Sequence, residues 1–151
     1  MTSSRWLSEP EMRVWRGFLA ASANVTQQID GALKSHASLT LDDYEVLVHL
    51  SEEPERRLRM ADLSARLIQS RSRLTQRIDR METRGLVMRE KCEADARGTW
   101  AVLTDHGFAT IAAAAPDHVI AVRQFLLDHI PDDQLENFGE LLAGLASAPP
   151  D

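Results

Sequence analysis

The apolar residues of this chain recur mainly at steps of three and four, the spacing that predicts amphipathic helices. A long first helix is predicted at about residues 9–34. Its apolar stripe consists of Trp15, Phe18, Val25, Ile29 and Ala32. Ser8 followed by Glu11 predicts a capping box at its start. A last helix is predicted from about Pro131, with Leu135, Phe138, Leu142 and Leu145 on one face.

The middle of the chain predicts shorter elements. Helices are expected at about 40–50, 60–67 and 70–84, and strands at 86–92 and 99–103, joined by a polar, glycine-containing turn. The polar segment 51–57 contains Pro54 and is predicted to be a loop. A fifth helix is expected after Thr104, with Pro116 kinking or interrupting it. The predicted fold class is therefore mainly α (α+β), with one two-stranded hairpin.

Charge is distributed unevenly along the chain. The net charge is −6, but residues 56–98 hold 12 of the 17 Lys+Arg and 6 of the 23 Asp+Glu. That block carries +6 and the remainder carries −12. A basic block between acidic flanks indicates a polyanionic partner for one part of the chain, although a solvated charged face would also produce it.

The order helix, turn, helix, hairpin at residues 60–103 is typical of a DNA-binding winged helix-turn-helix. The second helix of such a unit enters the major groove. Its solvent side offers hydrogen-bonding groups and arginines that suit base edges and phosphates. The predicted DNA contacts in this helix are Ser70, Arg71, Ser72, Arg73, Thr75, Gln76 and Arg77.

The hairpin supplies further candidates. Arg97 stands at its tip, where an arginine can enter the narrow minor groove. Asp95, two residues earlier, is expected to hold that arginine or to tighten the turn. Arg89 on the first strand completes the predicted DNA-binding set. The alternative interpretation of the tip is an ordinary charged turn.

The helices and the hairpin carry a continuous series of short sequence motifs. They are Leu63-Ser64-Ala65, Leu74-Thr75, Ile78-Asp79-Arg80-Met81-Glu82, Gly85-Leu86-Val87, Arg89, Asp95-Ala96-Arg97-Gly98 and Leu103-Thr104-Asp105-His106-Gly107. This run resembles the MarR family of bacterial regulators. The resemblance extends over nearly the whole chain, because the flanking helices also fit the family's topology.

The resemblance implies one MarR-like domain over residues 1–151. Residues 8–34 and 105–146 would form the dimerisation helices, and residues 40–103 the winged DNA-binding lobe. The wide apolar faces of the terminal helices independently favour a partner subunit. The implied function is sequence-specific binding of double-stranded DNA by a homodimer on a palindromic operator, and we expect a repressor.

Two positions depart from the family pattern. Family members often have Thr-Arg in the recognition helix, whereas Thr75 is followed here by Gln76 and the arginine is displaced to Arg77. This leaves the operator sequence open. Ile68 stands in the turn where a smaller residue is common, which leaves the geometry of the turn open.

MarR-like proteins are commonly released from DNA by a small phenolic or aromatic effector, or by cysteine oxidation. Arg16, His36 and Tyr44 are candidate ligand-binding residues near the family's pocket, between the dimer helices and the lobe. The alternative interpretation is that Tyr44 packs at the start of its helix and that Arg16 and His36 are surface groups. Cys92, the single cysteine, is a redox candidate or an inert small residue. The five histidines lack metal-binding spacing, so no metal and no cofactor are expected.

The sequence gives little support to other classes of function. No nucleophile elbow, glycine-rich phosphate loop or Cys-His signature is present, so no enzymatic activity is expected. No apolar run is long enough to span a membrane or to act as a signal peptide, so we expect a cytoplasmic protein with no membrane partner. The competing hypothesis is a winged-helix protein-interaction module, which would not need the arginines gathered at residues 71, 73, 77 and 97.

Overall fold

The computed structural model describes residues 6–95 and 97–147. In these residues the chain forms six α-helices and three short strands, which confirms the mainly α (α+β) class. The helices are α1 (Glu9–Ala37), α2 (Leu41–Ser51), α3 (Met60–Arg66), α4 (Arg71–Thr83), α5 (Asp105–Phe125) and α6 (Leu135–Ala146). The strands are β1 (Arg57–Arg59), β2 (Val87–Lys91) and β3 (Thr99–Leu103).

Caps are present at the starts of the first two helices, and the first is the predicted capping box. The Ser8 backbone N–H donates to Glu11 Oε2 at 2.7 Å. A further hydrogen bond from the Ser8 hydroxyl lowers the pKa of the Glu11 carboxyl. At α2, Thr40 Oγ1 accepts from the Asp43 N–H at 3.0 Å. Such caps satisfy backbone donors that have no partner within the helix, which fixes where each helix begins.

The sheet contains one strand more than predicted. β1 pairs antiparallel with β3, and β3 pairs with β2, giving the order β1-β3-β2. In this register Leu58 lies opposite Ala101, and Val87 opposite Leu103. β1 was missed because it has only three residues and Leu58, its single apolar residue, gives no alternating pattern. The predicted two-stranded hairpin is therefore part of a three-stranded sheet.

The chain divides into two compact units, of which the second comprises Asp30–His118. Its core contains large side chains with almost no exposure from the helices and the sheet. They are Leu39, Val46, Leu47, Leu50, Leu63, Leu74, Ile78, Met81, Leu86 and Val87. Gly85 ends α4 with φ +70°, a conformation that glycine adopts without strain. Thr104 Oγ1 donates to the Gly85 carbonyl at 2.6 Å and so ties the start of α5 to this turn.

The first unit comprises the residues up to Ile29 and from Val119 onward. Many of its large apolar side chains are exposed, on α1 as well as on α5 and α6. They include Trp15, Phe18, Leu19, Val119, Ile120, Leu135, Phe138, Leu141, Leu142 and Leu145. The Trp15 and Phe18 rings stack with centroids 6.5 Å apart. This unit thus presents wide apolar faces to its surroundings.

Two helix boundaries near the C-terminus differ from expectation. α5 continues through Pro116, so the helix is not interrupted there. α6 begins at Leu135 and not near Pro131, because two short 3-10 turns at Leu127–His129 and Asp132–Gln134 precede it. None of the helices in the described part of the chain is long and apolar enough to cross a membrane.

Candidate nucleic-acid interface

The N-terminal half of α4 presents most of the predicted DNA-contact residues to solvent. Ser70 caps the helix, with its Oγ accepting from the Arg73 N–H at 3.3 Å. α4 buries Leu74, Ile78 and Met81 in the core. The helical period therefore leaves the opposite side exposed, and that side carries Arg71, Ser72, Arg73, Thr75 and Gln76.

Three exposed arginines, in the first turn of α4 and at the wing tip, have no partner among the residues that the structure describes. Within residues 6–95 and 97–147, the guanidinium groups of Arg71, Arg73 and Arg97 make no ion pair and no hydrogen bond. An unpaired arginine on the surface can bind a phosphate or a guanine edge without first breaking an internal contact. We call these three residues the free arginines.

Arg77 is placed differently from the free arginines. Its side chain is only 13% exposed, and its Nη2 donates to Asp42 Oδ2 at 2.6 Å. Its Nη1 donates to Asp43 Oδ1 at 2.9 Å. In this geometry the Arg77 guanidinium faces α2, and its contact with DNA stays a prediction. Helical periodicity predicted which side of α4 is exposed, but it could not reveal the two carboxylates of α2 that pair with Arg77.

Arg89 is also held within the protein. Its guanidinium contacts Asp79 Oδ1 at 2.7 Å and Glu82 Oε2 at 2.8 Å, and donates to the Thr75 carbonyl at 3.1 Å. These bonds join β2 to the solvent side of α4. Arg89 therefore fixes the wing against the recognition helix, and its charge is largely balanced by two carboxylates.

The wing turn is organised by Asp95. Its Oδ1 accepts from the Arg97 N–H at 3.0 Å, and its carbonyl accepts from the Gly98 N–H at 2.9 Å. Asp95 thus tightens the turn, one of the two roles expected of it, and leaves the Arg97 side chain exposed. Ala96, between them in the sequence, lies outside the described residues.

Sequence reasoning missed Arg59, at the end of β1. Its guanidinium lies 5.4 Å from the centre of the Trp100 ring, and its Nη2 donates to Cys92 Sγ at 3.3 Å. Asp95 Oδ2 is 3.9 Å from its Nη1. Only the pairing of β1 with β3 brings Arg59 to the wing, and no local pattern in the sequence signals that pairing.

Arg59 also lines a groove between α3, α4 and the wing. The groove has a volume of about 410 Å³, and its lining includes Arg71, Thr75, Arg89 and Arg97. Basic side chains from three elements thus converge on one concave surface. Such a surface suits the phosphate backbone of a nucleic acid, which attracts arginines through charge and bidentate hydrogen bonds.

The predicted ligand-binding residues fall in both units. Arg16 is exposed on α1 in the first unit. In the second unit, His36 Nδ1 is 3.6 Å from Asp117 Oδ2, and the Tyr44 ring packs against His118 with centroids 4.2 Å apart. The structure therefore brings His36 and Tyr44 to adjacent positions of α5.

Cys92 is buried at the end of β2, where its thiol accepts from Arg59. This environment packs the thiol inside the base of the wing. No group of three or more potential metal ligands comes together in the part of the chain that the structure describes.

Comparisons with known proteins agree with this arrangement. Residues 37–98 match the family model described as MarR family. The chain is 42% identical to AbsC, a MarR family transcriptional regulator from Streptomyces coelicolor, over 95% of this chain and 96% of that one, with a TM-score of 0.89. No curated protein matches the chain.

Two further solved structures are informative. Sco3205, a MarR family transcriptional regulator from Streptomyces coelicolor solved in complex with DNA, is 38% identical over 97% of this chain and 91% of that one, with a TM-score of 0.92. BpsR of Bordetella bronchiseptica is 17% identical over 97% of this chain and 100% of that one, with a TM-score of 0.82, and so shares the fold alone.

Proposed function

Because this chain belongs to the MarR family of transcriptional regulators, we propose that it binds a palindromic double-stranded DNA operator as a homodimer and represses transcription there. The observation that carries the proposal is the groove between α3, α4 and the wing, which the free arginines Arg71 and Arg97 line, with Arg73 also exposed on α4. The DNA complex of Sco3205, at 38% identity, supports the same mode of binding.

The exposed residues of α4 divide by chemistry. Arg73, Thr75 and Gln76 lie along the first two turns and can reach base edges in the major groove. Ser70, Arg71 and Ser72 at the helix start suit phosphate oxygens, since helix N-termini present unpaired N–H groups. Arg97 at the wing tip suits the minor groove and its flanking phosphates. Arg89 and Asp95 position these groups, Arg89 by holding the wing and Asp95 by shaping its turn.

The homodimer is supported by the first unit. α1, α5 and α6 carry large exposed apolar side chains, and leaving them in water is unfavourable at about 25 cal/mol for each Å² of apolar surface. A second copy of the same helices would cover them. Two lobes in one dimer would then bind successive turns of an operator whose symmetry matches that of the protein.

A small-molecule effector is also part of the proposal. DNA binding by BpsR is regulated by 6-hydroxynicotinic acid. This shared fold supports the expectation that a small aromatic or phenolic molecule releases the present protein from its operator. Its binding would have to favour a conformation in which the two lobes no longer fit the DNA.

The decisive experiment is selection of bound sequences from a random duplex pool, followed by affinity measurements over a salt series. We expect a palindromic consensus. If Arg71 and Arg97 of both protomers neutralise one phosphate each, the slope of log affinity against log salt should be roughly −3.6 or steeper. Sedimentation at micromolar concentration should show twice the 16.9 kDa chain mass. A flat salt dependence without a consensus would contradict operator binding and favour a protein-interaction module.

A further inference from the structure

The wing turn extends beyond the end of β1, and one side chain from outside the hairpin reaches it. β1 ends at Arg59, whereas β2 and β3 continue by one more pair, Lys91 with Thr99. The turn of residues 92–98 then closes on itself through backbone hydrogen bonds. Within the described part of the chain, Arg59 is the only residue outside the hairpin whose side chain forms a hydrogen bond or an ion pair with this turn.

Arg59 holds the turn through two different groups. Its Nη2 donates to Cys92 Sγ at 3.3 Å, and its Nη1 lies 3.9 Å from Asp95 Oδ2. Cys92 is buried where the turn begins, and Asp95 accepts from the Arg97 N–H at 3.0 Å. The guanidinium therefore links β1 both to the start of the turn and to the carboxylate that shapes the backbone at Arg97.

The place of Arg59 in the sequence does not favour an arginine on local grounds. Arg59 is the N-cap of α3, a position that prefers short polar side chains because these accept hydrogen bonds from the first helical turn. The Arg59 side chain makes no capping hydrogen bond and contacts the wing turn instead. Residues that break a local rule in this way are expected where function requires them.

Arg57, on the same strand, provides an internal comparison. Both guanidinium groups lie over the Trp100 ring, that of Arg57 at 4.8 Å and that of Arg59 at 5.4 Å from its centre. The two side chains are similarly exposed, at 33% and 38%. Arg57 Nη2, however, contacts Glu55 Oε2 at 2.7 Å. The two arginines thus share a strand, a charge and an aromatic contact, but only Arg59 is bonded to the turn.

We propose that Arg59 is the positioning residue of the wing. Its contacts with Cys92 and Asp95 hold the turn beside the groove, so that Arg97 is presented to DNA from one position. Arg59 acts through Arg97 and not through a phosphate contact of its own. A turn that is already ordered loses less conformational freedom when it binds, which strengthens binding. This inference rests on the proposed function for its effect on DNA, whereas the positioning of the turn can be tested without DNA.

The first experiment compares Arg59→Met with Arg57→Met in the full chain without DNA, by backbone amide NMR. Each variant keeps a long apolar side chain and loses one guanidinium. We expect Arg59→Met to shift the amides of residues 95–98 and to lower their heteronuclear NOEs, because the turn loses its link to β1. Arg57→Met is the matched control and should leave these amides unchanged. Cys92→Ala removes the thiol acceptor, so it should shift the same amides and replaces Arg59→Met if that variant does not fold.

The second experiment is a double-mutant cycle between Arg59→Met and Arg97→Ala, measured as affinity for the duplex selected from the random pool. We expect Arg59→Met alone to weaken binding about three- to tenfold, and Arg57→Met to weaken it by less than about twofold. In a protein that already carries Arg97→Ala, Arg59→Met should weaken binding by less than about twofold, because the two residues act as one unit.

Each result decides a separate part of the proposal. Unchanged amides in Arg59→Met, or equal shifts in both arginine variants, would overturn the positioning of the turn. Shifted amides with unchanged DNA affinity would overturn its effect on binding. Losses that multiply in the double variant would show that Arg59 contacts DNA by itself and does not act through Arg97. If the unmodified protein binds no duplex, the proposed function is wrong, while the amide shifts still decide the positioning.

Discussion

The guanidinium of Arg77 joins the middle of α4 to the first turn of α2 through a 2.9 Å hydrogen bond to Asp43 Oδ1. Asp43 is itself buried, and its other oxygen lies 3.8 Å from Arg84 Nη1. The same carboxylate therefore lies close to two arginines, one within α4 and one directly after it. This contact fixes α4 relative to α2 and so determines which of its side chains face outward.

We expect Arg77→Ala to lower the free energy of unfolding by about 1–3 kcal/mol, because the Asp43 carboxylate stays buried but loses its closest partner. Arg73→Ala, an exposed position four residues earlier, is the control and should change stability by less than about 0.5 kcal/mol. Urea denaturation of both variants measures the difference. Equal stabilities of the two variants would show that Arg77 does not fix α4.

A second prediction concerns the close contact at the start of α5. A Cβ added to Gly107 would lie 2.0 Å from the Leu86 carbonyl oxygen and 2.7 Å from Leu103 Cδ1. Because the obstructing atom is backbone, Gly107→Ala should lower the free energy of unfolding by about 2–4 kcal/mol.

Gly31→Ala, where an added Cβ meets nothing within 4 Å, is the matched control. It lies inside α1, where alanine is favoured over glycine, so it should raise stability by about 0.5–1 kcal/mol. Thermal unfolding of the two variants should shift in opposite directions. A Gly107→Ala protein as stable as the parent would contradict the packing described at this turn.

The sequence predicted most elements because their signals are local. Helical periodicity located α1, α4 and α6 to within a few residues, and a capping box fixed the start of α1. The polar, glycine-containing turn before Thr99 separated the two wing strands. These features depend on residues only a few positions apart, so a single sequence displays them.

The missed features all depend on distant parts of the chain. Arg77 contacts Asp43, which lies 34 positions earlier, and Arg59 meets Cys92 33 positions later. β1 exists only through its pairing with β3. Local patterns identify the residues that can face solvent. Which charged side chains remain unpaired depends on contacts between residues far apart in the sequence.

Stability should depend on pH through His118. Burial lowers the pKa of this imidazole below its ordinary value of 6.5. Between the two pKa values the unfolded chain binds a proton that the folded chain does not, so the free energy of unfolding should fall as the pH drops below about 6.5. His118→Phe should reduce this fall, as judged by urea midpoints at about pH 7.5 and about pH 5.5. An unchanged pH dependence in the variant would exclude His118 as its source.

The last prediction separates the roles of two free arginines in DNA binding. Arg73 lies on the exposed side of α4. Arg73→Ala should therefore weaken the free energy of DNA binding by roughly 1–3 kcal/mol and relax the base preference at particular operator positions. Arg97 lies at the wing tip, so Arg97→Ala should weaken binding more evenly and change preference mainly in A·T-rich flanks. Asp95→Ala should resemble a milder Arg97→Ala, because Asp95 shapes the turn that presents Arg97.

Affinities of the three variants for a panel of single-base operator mutants measure this separation. Stability should stay within about 0.5 kcal/mol of the parent for Arg73→Ala and Arg97→Ala, because neither side chain has a partner in the described residues. Arg77→Ala serves as the contrasting variant, since it should lower stability while leaving base preference unchanged. If Arg97→Ala binds every sequence as tightly as the parent, the wing does not contact DNA. If Arg77→Ala alters preference at single positions, its guanidinium leaves Asp43 to read bases in the complex.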